Sequence, residues 1–193
     1  MSENKTEVFY AETISDWRNW LEINHISADS VWLVFYKKSS DKKSVTWSES
    51  VEVALCFGWI DSKKIKVDEE TSHQFFSKRK AKSTWSKINK QKIEKLIEEK
   101  LMTPAGLKSV EIAKDNGSWT VLDEVEELII PEDLDLALSK YSGARAYFLT
   151  LSKSVRKMML YWVVSAKRTE TRQSRIDQIA EKSSLQTKPK PFL

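Results

Sequence analysis

Two blocks of this chain carry residue types that can do chemistry. Cys56-Phe57-Gly58-Trp59-Ile60-Asp61-Ser62 sets an aspartate just beyond a tryptophan, after a glycine suited to ending a helix. Phe75-Phe76-Ser77-Lys78-Arg79-Lys80-Ala81-Lys82-Ser83-Thr84-Trp85-Ser86-Lys87-Ile88-Asn89-Lys90 follows, and the span from Lys78 to Lys92 holds seven cations, one tryptophan and no acid. Together they read as an anion-handling surface with one internal carboxylate. The pairing names no reaction.

Each residue has a chemical reading and a structural one. Asp61 sits where a helix gives way to a strand, so it can face a cleft and bind a cation or act as a general base. Its structural alternative is an ion pair with Arg79 or a cap on nearby amides. Arg79, Lys80 and Lys82 precede a helix that Ser83 is expected to start, whose dipole and free amides would join them in holding a phosphate or carboxylate. The alternative is a solvated basic loop balanced by Asp68, Glu69 and Glu70. Trp85 and Asn89, four apart on one helical face, offer a stacking plane and an amide, or in the case of Trp85 simply core. The candidate ligand site is thus Trp59, Asp61, Arg79, Lys80, Lys82, Ser83, Trp85 and Asn89. Lys167, Arg168, Arg172 and Arg175, around the junction of the last two helices, form a second basic surface, or else complement the dipole ending the first of those helices.

Composition narrows the classes. Cys56 is the only cysteine among 193 residues, which rules out an internal disulfide and a cysteine-rich zinc site, and it reads as a buried, inert thiol. His25 and His73 lack metal-ligand spacing, so no metal is expected. No serine-histidine-acid arrangement, phosphate loop or dinucleotide fingerprint is present, and four glycines are few to build one. No cofactor is called for and no catalytic residue is assigned. Residues 61–117 carry 14 Lys and Arg against 9 Asp and Glu, whereas residues 1–60 carry 6 against 9. The middle segment is the one that attracts anions. An anionic small molecule or a protein partner is the favoured ligand. Nucleic acid is the alternative, since basic residues interleave with Phe75, Phe76 and Trp85, but Glu94, Glu98 and Glu99 follow on the next helix. A third reading is an enzyme with Asp61 as base and Arg79 as anion clamp. Met1 to Lys5 lack a basic, apolar leader and no stretch reaches the roughly 18 apolar residues of a membrane span, so a cytoplasmic protein is expected.

The elements that must position these residues follow from pattern. Ile14, Trp17, Trp20 and Leu21 have helical spacing behind Thr13 or Ser15 as cap. Residues 31–36 are a strand, and Ile65 and Val67 pair with His73-Gln74-Phe75-Phe76 as a hairpin with a polar outer face. Thr46-Trp47-Ser48-Glu49 is a capping box opening a helix that Gly58 ends. Ser83 is expected to cap a helix over 84–100 with Ile93, Leu96, Ile97 and Leu101 as its stripe, and Thr103-Pro104 opens another that runs to Gly117. Residues 118–133 read as a linker with a short extended stretch. Residues 134–141, 144–149, 155–167 and 169–182 read as helices, and the 188–193 tail as mobile.

Cys56 to Ser62, Lys78 to Asn89 and Met102-Thr103-Pro104-Ala105-Gly106 resemble the YdeI/OmpD-associated (OmdA) bacteriocin-protection family. So do Ala144-Arg145-Ala146-Tyr147-Phe148, Trp162 to Arg168, and Thr171-Arg172-Gln173-Ser174-Arg175-Ile176. The blocks run in the family's order over most of the chain. It departs from the family's pattern at Ser77, where proline is frequent, which leaves the local turn less rigid. The resemblance implies a link to resistance against bacteriocins or cationic antimicrobial peptides, and implies no enzymatic activity or catalytic residues. The fold expected is α+β: residues 1–117 with a small antiparallel sheet flanked by helices, the linker, and an all-helical domain over 134–193.

Overall fold

The computed structural model describes residues 6–192; Met1 to Lys5 and Leu193 lie outside the described residues. Two compact units divide the described residues, one of residues 6–84 with 88–119, the other of residues 85–87 with 120–192. The first is built on a four-stranded sheet, the second on helices alone. The chain is of the α+β class.

In the first unit β1 (Val8–Tyr10), β2 (Ser30–Tyr36), β3 (Trp59–Lys66) and β4 (Thr71–Lys78) lie in the order β1-β2-β4-β3. β4 pairs antiparallel with both neighbours, but β1 runs parallel to β2, so the sheet is mixed rather than antiparallel throughout. The reason is the connection: helix α1 (Ile14–Asn24) joins β1 to β2, and a crossover through a helix returns the chain in the same direction. Three residues are too few to show a strand's period in sequence. The hairpin forms as expected, although Ile65 and Val67 are open to solvent, 43% and 50% exposed.

α1 is capped by Thr13, whose hydroxyl accepts from the Asp16 amide while the Asp16 carboxylate accepts from the Thr13 amide. Its inner face sets Trp17 and Trp20 in a stacked pair at 5.4 Å, with Phe9 and Phe76 closing around them. α2 (Trp47–Cys56) carries the same device, Thr46 with Glu49, and buries Val51, Ala54 and Leu55 before Gly58 turns the chain at φ 72°. That left-handed turn is tight: a Cβ on Gly58 would stand 3.0 Å from the Ala105 carbonyl oxygen.

The Thr46 hydroxyl and amide hold the Glu49 carboxylate below its ordinary value. The stabilisation is complete above pH about 4.5, where the unfolded chain's carboxylates are ionised, and is lost as pH falls through the lower folded value. Thr46→Ala is expected to cost about 1 kcal/mol in urea unfolding at neutral pH. The gap from wild type should narrow in acid, and a gap constant down to pH about 3 would contradict the assignment.

α3 (Lys87–Glu98) starts later than the serine at position 83 suggests. The Thr84 carbonyl, which a helix from Thr84 would use for the amide four residues on, accepts from the Arg79 guanidinium. Ser83 is held in a turn by the Lys80 carbonyl. Of the expected stripe Ile93 and Leu96 are buried, while Ile97 and Leu101 are 46% and 41% exposed. α4 (Pro104–Asp115) begins on its threonine cap with proline at the first position and buries Val110 and Ala113. Its start is fastened to the end of α2: the Cys56 carbonyl accepts from both the amide and the hydroxyl of Thr103, at 3.0 and 2.7 Å.

The second unit contains α5 (Asp123–Glu126), α6 (Glu132–Ser139), α7 (Ala144–Thr150), α8 (Lys153–Val164) and α9 (Thr169–Ser184). Leu134, Leu138, Phe148, Met159, Val163 and Ile176 are fully buried at its centre. The tail closes on this unit, since residues 190–192 make one 3-10 turn and the Phe192 ring meets Trp162 edge-on at 5.4 Å. Among the described residues no helix is long and apolar enough to cross a membrane.

Candidate functional site

A recess of about 400 Å³ opens in the first unit where four segments converge. His25 and Ile26 follow α1; Phe57, Gly58 and Trp59 turn from α2 into β3; Lys78, Arg79, Lys80 and Ala81 leave β4; Ala105, Lys108, Ser109 and Ile112 belong to α4. The Arg79 amide donates to the Gly58 carbonyl at 2.9 Å, which pins the end of β4 against the turn. Trp59 is fully buried, with its indole N–H directed at the His25 carbonyl. The Phe57 ring packs against the His25 imidazole at 5.2 Å between ring centres.

The lining has an apolar floor and a cationic rim. Phe57 and Trp59, both buried, supply the floor with Ala105 and Ile112, Ala81 is exposed at the edge of the lining, and among the described residues no carboxylate lines the recess. Lys78 is committed, with its ammonium 2.7 Å from the Ile26 carbonyl and 3.1 Å from Asp29. Lys108 pairs with Glu111 at 2.7 Å on the solvent side. Lys80 is exposed and makes no ion pair among the described residues. Burial pushes the Arg79 guanidinium down to about 10, against the pull of the nearby Asp61 charge, so it remains a cation at neutral pH. An anionic group at the rim and an apolar body on the floor would both be satisfied here.

Of the residues singled out in sequence, the recess gathers Trp59, Arg79 and Lys80. Asp61 does not line it. Strand alternation puts Asp61 on the same side of β3 as Trp59, beneath the start of α2, where it accepts from the Trp47 indole at 2.9 Å and the Gln74 amide at 3.3 Å. Lys82 is exposed and Ser83 half-buried, both outside the lining. α3 begins at Lys87, so the helix start expected at Ser83, directly behind Arg79, Lys80 and Lys82, is not there. Trp85 is buried and belongs to the second unit, while Asn89 is half-buried on α3 in the first. Cys56 is buried, and burial pushes its thiol up, away from reactivity.

In the second unit Arg172 holds Asp133 at 2.7 and 2.9 Å and also donates to the Val163 carbonyl. Arg175 donates to the Trp162 carbonyl and lies over the Trp162 ring. Both guanidiniums therefore serve the carbonyl end of α8, the structural alternative for this basic cluster. Lys167 and Arg168 are exposed beside them.

Sequence reasoning missed the α4 wall and the His25-Ile26 side. One signal for the wall was present: Gly106 stands inside a helical pattern, where a glycine marks a close approach of another backbone. A Cβ there would lie 2.2 Å from the Cys56 carbonyl oxygen.

Fold and recess define a two-unit α+β protein with a cation-rimmed, apolar-floored pocket in its sheet-containing unit. Residues 9–109 match the family described as a domain of unknown function (DUF8412), and the chain belongs to that family. Residues 127–185 match the family described as Bacteriocin-protection, YdeI or OmpD-Associated (OmdA), so the helical part carries the resemblance noted from Ala144 onward. The blocks from Cys56 to Gly106 fall within the first match instead. Comparison with curated proteins and with solved structures returns no match.

Proposed function

We propose that this protein binds an anionic ligand with an apolar body in the recess beside Arg79, and that binding serves resistance to bacteriocins or cationic antimicrobial peptides inside the cell. One observation carries the binding: Lys78, Arg79, Lys80 and Lys108 belong to the lining of a recess of about 400 Å³ in which, among the described residues, no carboxylate is found, and of the four Lys80 is exposed and in no ion pair. The description of the helical part's family supports the setting. A catalytic role for Asp61 with Arg79 has less support, because Asp61 does not line the recess and is held by Trp47 and Gln74.

Calorimetric titration with phenyl phosphate, against inorganic phosphate, tests the site. Phenyl phosphate should bind the tighter of the two, because only it reaches the floor. Arg79→Gln should weaken it about tenfold or more, as expected for loss of a charge-assisted contact of about 1.5–3 kcal/mol. Arg79 also holds the Thr84 carbonyl, so Lys80→Gln/Lys108→Gln provides a second variant that spares the fold. Affinity unchanged in both would remove the site. Deleting the gene and challenging cells with a bacteriocin or polymyxin tests the physiological half, and unchanged sensitivity would reject it even if binding held.

A further inference from the structure

The sheet of the first unit has two faces of opposite character. α1 and α2 cover one, where Leu33, Phe35 and Phe76 are buried with Trp17. On the other, strand alternation and pairing register place Tyr10 of β1, Trp32 and Tyr36 of β2, and His73 and Phe75 of β4. Tyr10 is 41% exposed, and the other four are half-buried. Trp32 and Phe75 lie side by side on the two central strands, ring centres 4.9 Å apart and edge to face.

Cations attend these rings. Asp61 pairs with Phe76 and Lys64 with Gln74, so a bulge leaves Ser62 and Lys63 opposite Phe75. A bulge re-aims a side chain, and here the Lys63 ammonium stands 5.2 Å from the Trp32 ring and 5.4 Å from the Phe75 ring. Lys42 stands 5.3 Å from the Tyr36 ring. No strand position on this face holds a carboxylate. The acids at the hairpin turn are engaged locally, Asp68 with Thr71, Glu69 with Lys66 and Glu70 with Ser40.

We propose that this face binds single-stranded nucleic acid, with successive bases stacked on Trp32 and Phe75 and with Lys42 and Lys63 passing from the rings to the phosphates. Charge complementarity selects the occupant, since the central strands present aromatic rings beside the Lys63 ammonium with no carboxylate at a strand position on this face, and the acids Asp68, Glu69 and Glu70 lie at the Tyr36 and Lys42 end. Half-buried rings side by side on the central strands of a four-stranded sheet suit splayed bases and not a closed duplex, whose base faces are already stacked. This reading shares no residue with the recess.

The test is fluorescence anisotropy with labelled single-stranded RNA and DNA of about twelve nucleotides, a span suited to a single sheet face. Binding is expected at about 50 mM salt, weakening steeply as salt rises, with quenching of tryptophan emission. A duplex of the same length should bind at least about tenfold more weakly, because its bases cannot reach the rings. Phe75→Leu and Lys42→Glu/Lys63→Glu should each weaken single-strand binding about tenfold or more, the first through stacking and the second through charge. Lys80→Gln/Lys108→Gln should leave it unchanged. Preference of RNA over DNA, or the reverse, would name the source. The proposal is overturned if no single strand binds at low salt, if duplex binds as well, or if both face variants bind like wild type. Binding to anionic phospholipid vesicles without binding to oligonucleotides would equally overturn it.

Discussion

Alanine at Gly106 is expected to lower the stability of the first unit by about 2–3 kcal/mol, although alanine is the better helix former. With open space the exchange would stabilise α4 by about 1 kcal/mol, since glycine is costly inside a helix. Here the added Cβ would meet the Cys56 carbonyl oxygen at 2.2 Å and its carbon at 2.7 Å, and both are backbone atoms that no rotamer can move aside. α4 must shift from α2, which also stretches the two hydrogen bonds from Thr103 to that carbonyl. Urea unfolding should show a lower midpoint with an unchanged slope. Gly117→Ala is the control: its φ of 78° costs about 1 kcal/mol, but nothing lies within 4 Å of the new Cβ. If Gly106→Ala were as mild as the control, the close crossing of the two helices would be refuted.

Trp17→Ala should cost more, about 4 kcal/mol, enough to leave a domain of ordinary stability largely unfolded near its melting range. The ring has no solvent exposure and stands between Trp20, Phe9 and Phe76, so its removal leaves a cavity walled by three other rings. The indole N–H also donates to the Ser50 carbonyl at 3.0 Å, linking α1 to α2 across 33 residues of chain. Trp17→Phe separates the two contributions. It keeps most of the packing but leaves that carbonyl unpaired, at a cost of about 1–3 kcal/mol. Equal losses in the two variants would show that packing contributes nothing beyond the hydrogen bond, contrary to the burial described.

Local signals in the sequence carried most of the elements. Both capping boxes, Thr13 with Asp16 and Thr46 with Glu49, are closed by atoms three residues apart, so nothing distant can override them. α3 starts later than Ser83 suggests, and there a group outside the local pattern, the Arg79 guanidinium, donates to the Thr84 carbonyl. β1 was invisible for a related reason: its only evidence is pairing with β2, which three residues cannot announce.

The recess was half legible. Arg79, Lys80 and Trp59 stand out in the sequence by type, and the fold brings them together. Asp61 is equally conspicuous, yet which side of β3 it faces is set by register and by Trp47, a residue 14 positions earlier. The α4 wall depends on a helix crossing whose clearest trace in sequence is a single glycine. For the sheet face, Phe75 and Trp32 were visible as aromatic residues, but their adjacency needs the antiparallel pairing of β2 with β4. Phe76 and Trp85, which looked equivalent to Phe75, are buried.

The double acceptance at the Cys56 carbonyl bears on selectivity. One side of the pocket stands on a helix whose first turn is riveted to its neighbour, so that side cannot swing outward to admit a bulkier guest. Adjustment is left to the opposite lip, where Lys80 and the 78% exposed Ile26 side chain are free to rotate. For the ligand proposed above, girth would be limited by the fastened wall and headgroup placement by the looser lip, so that congeners should be sorted by width more sharply than by length.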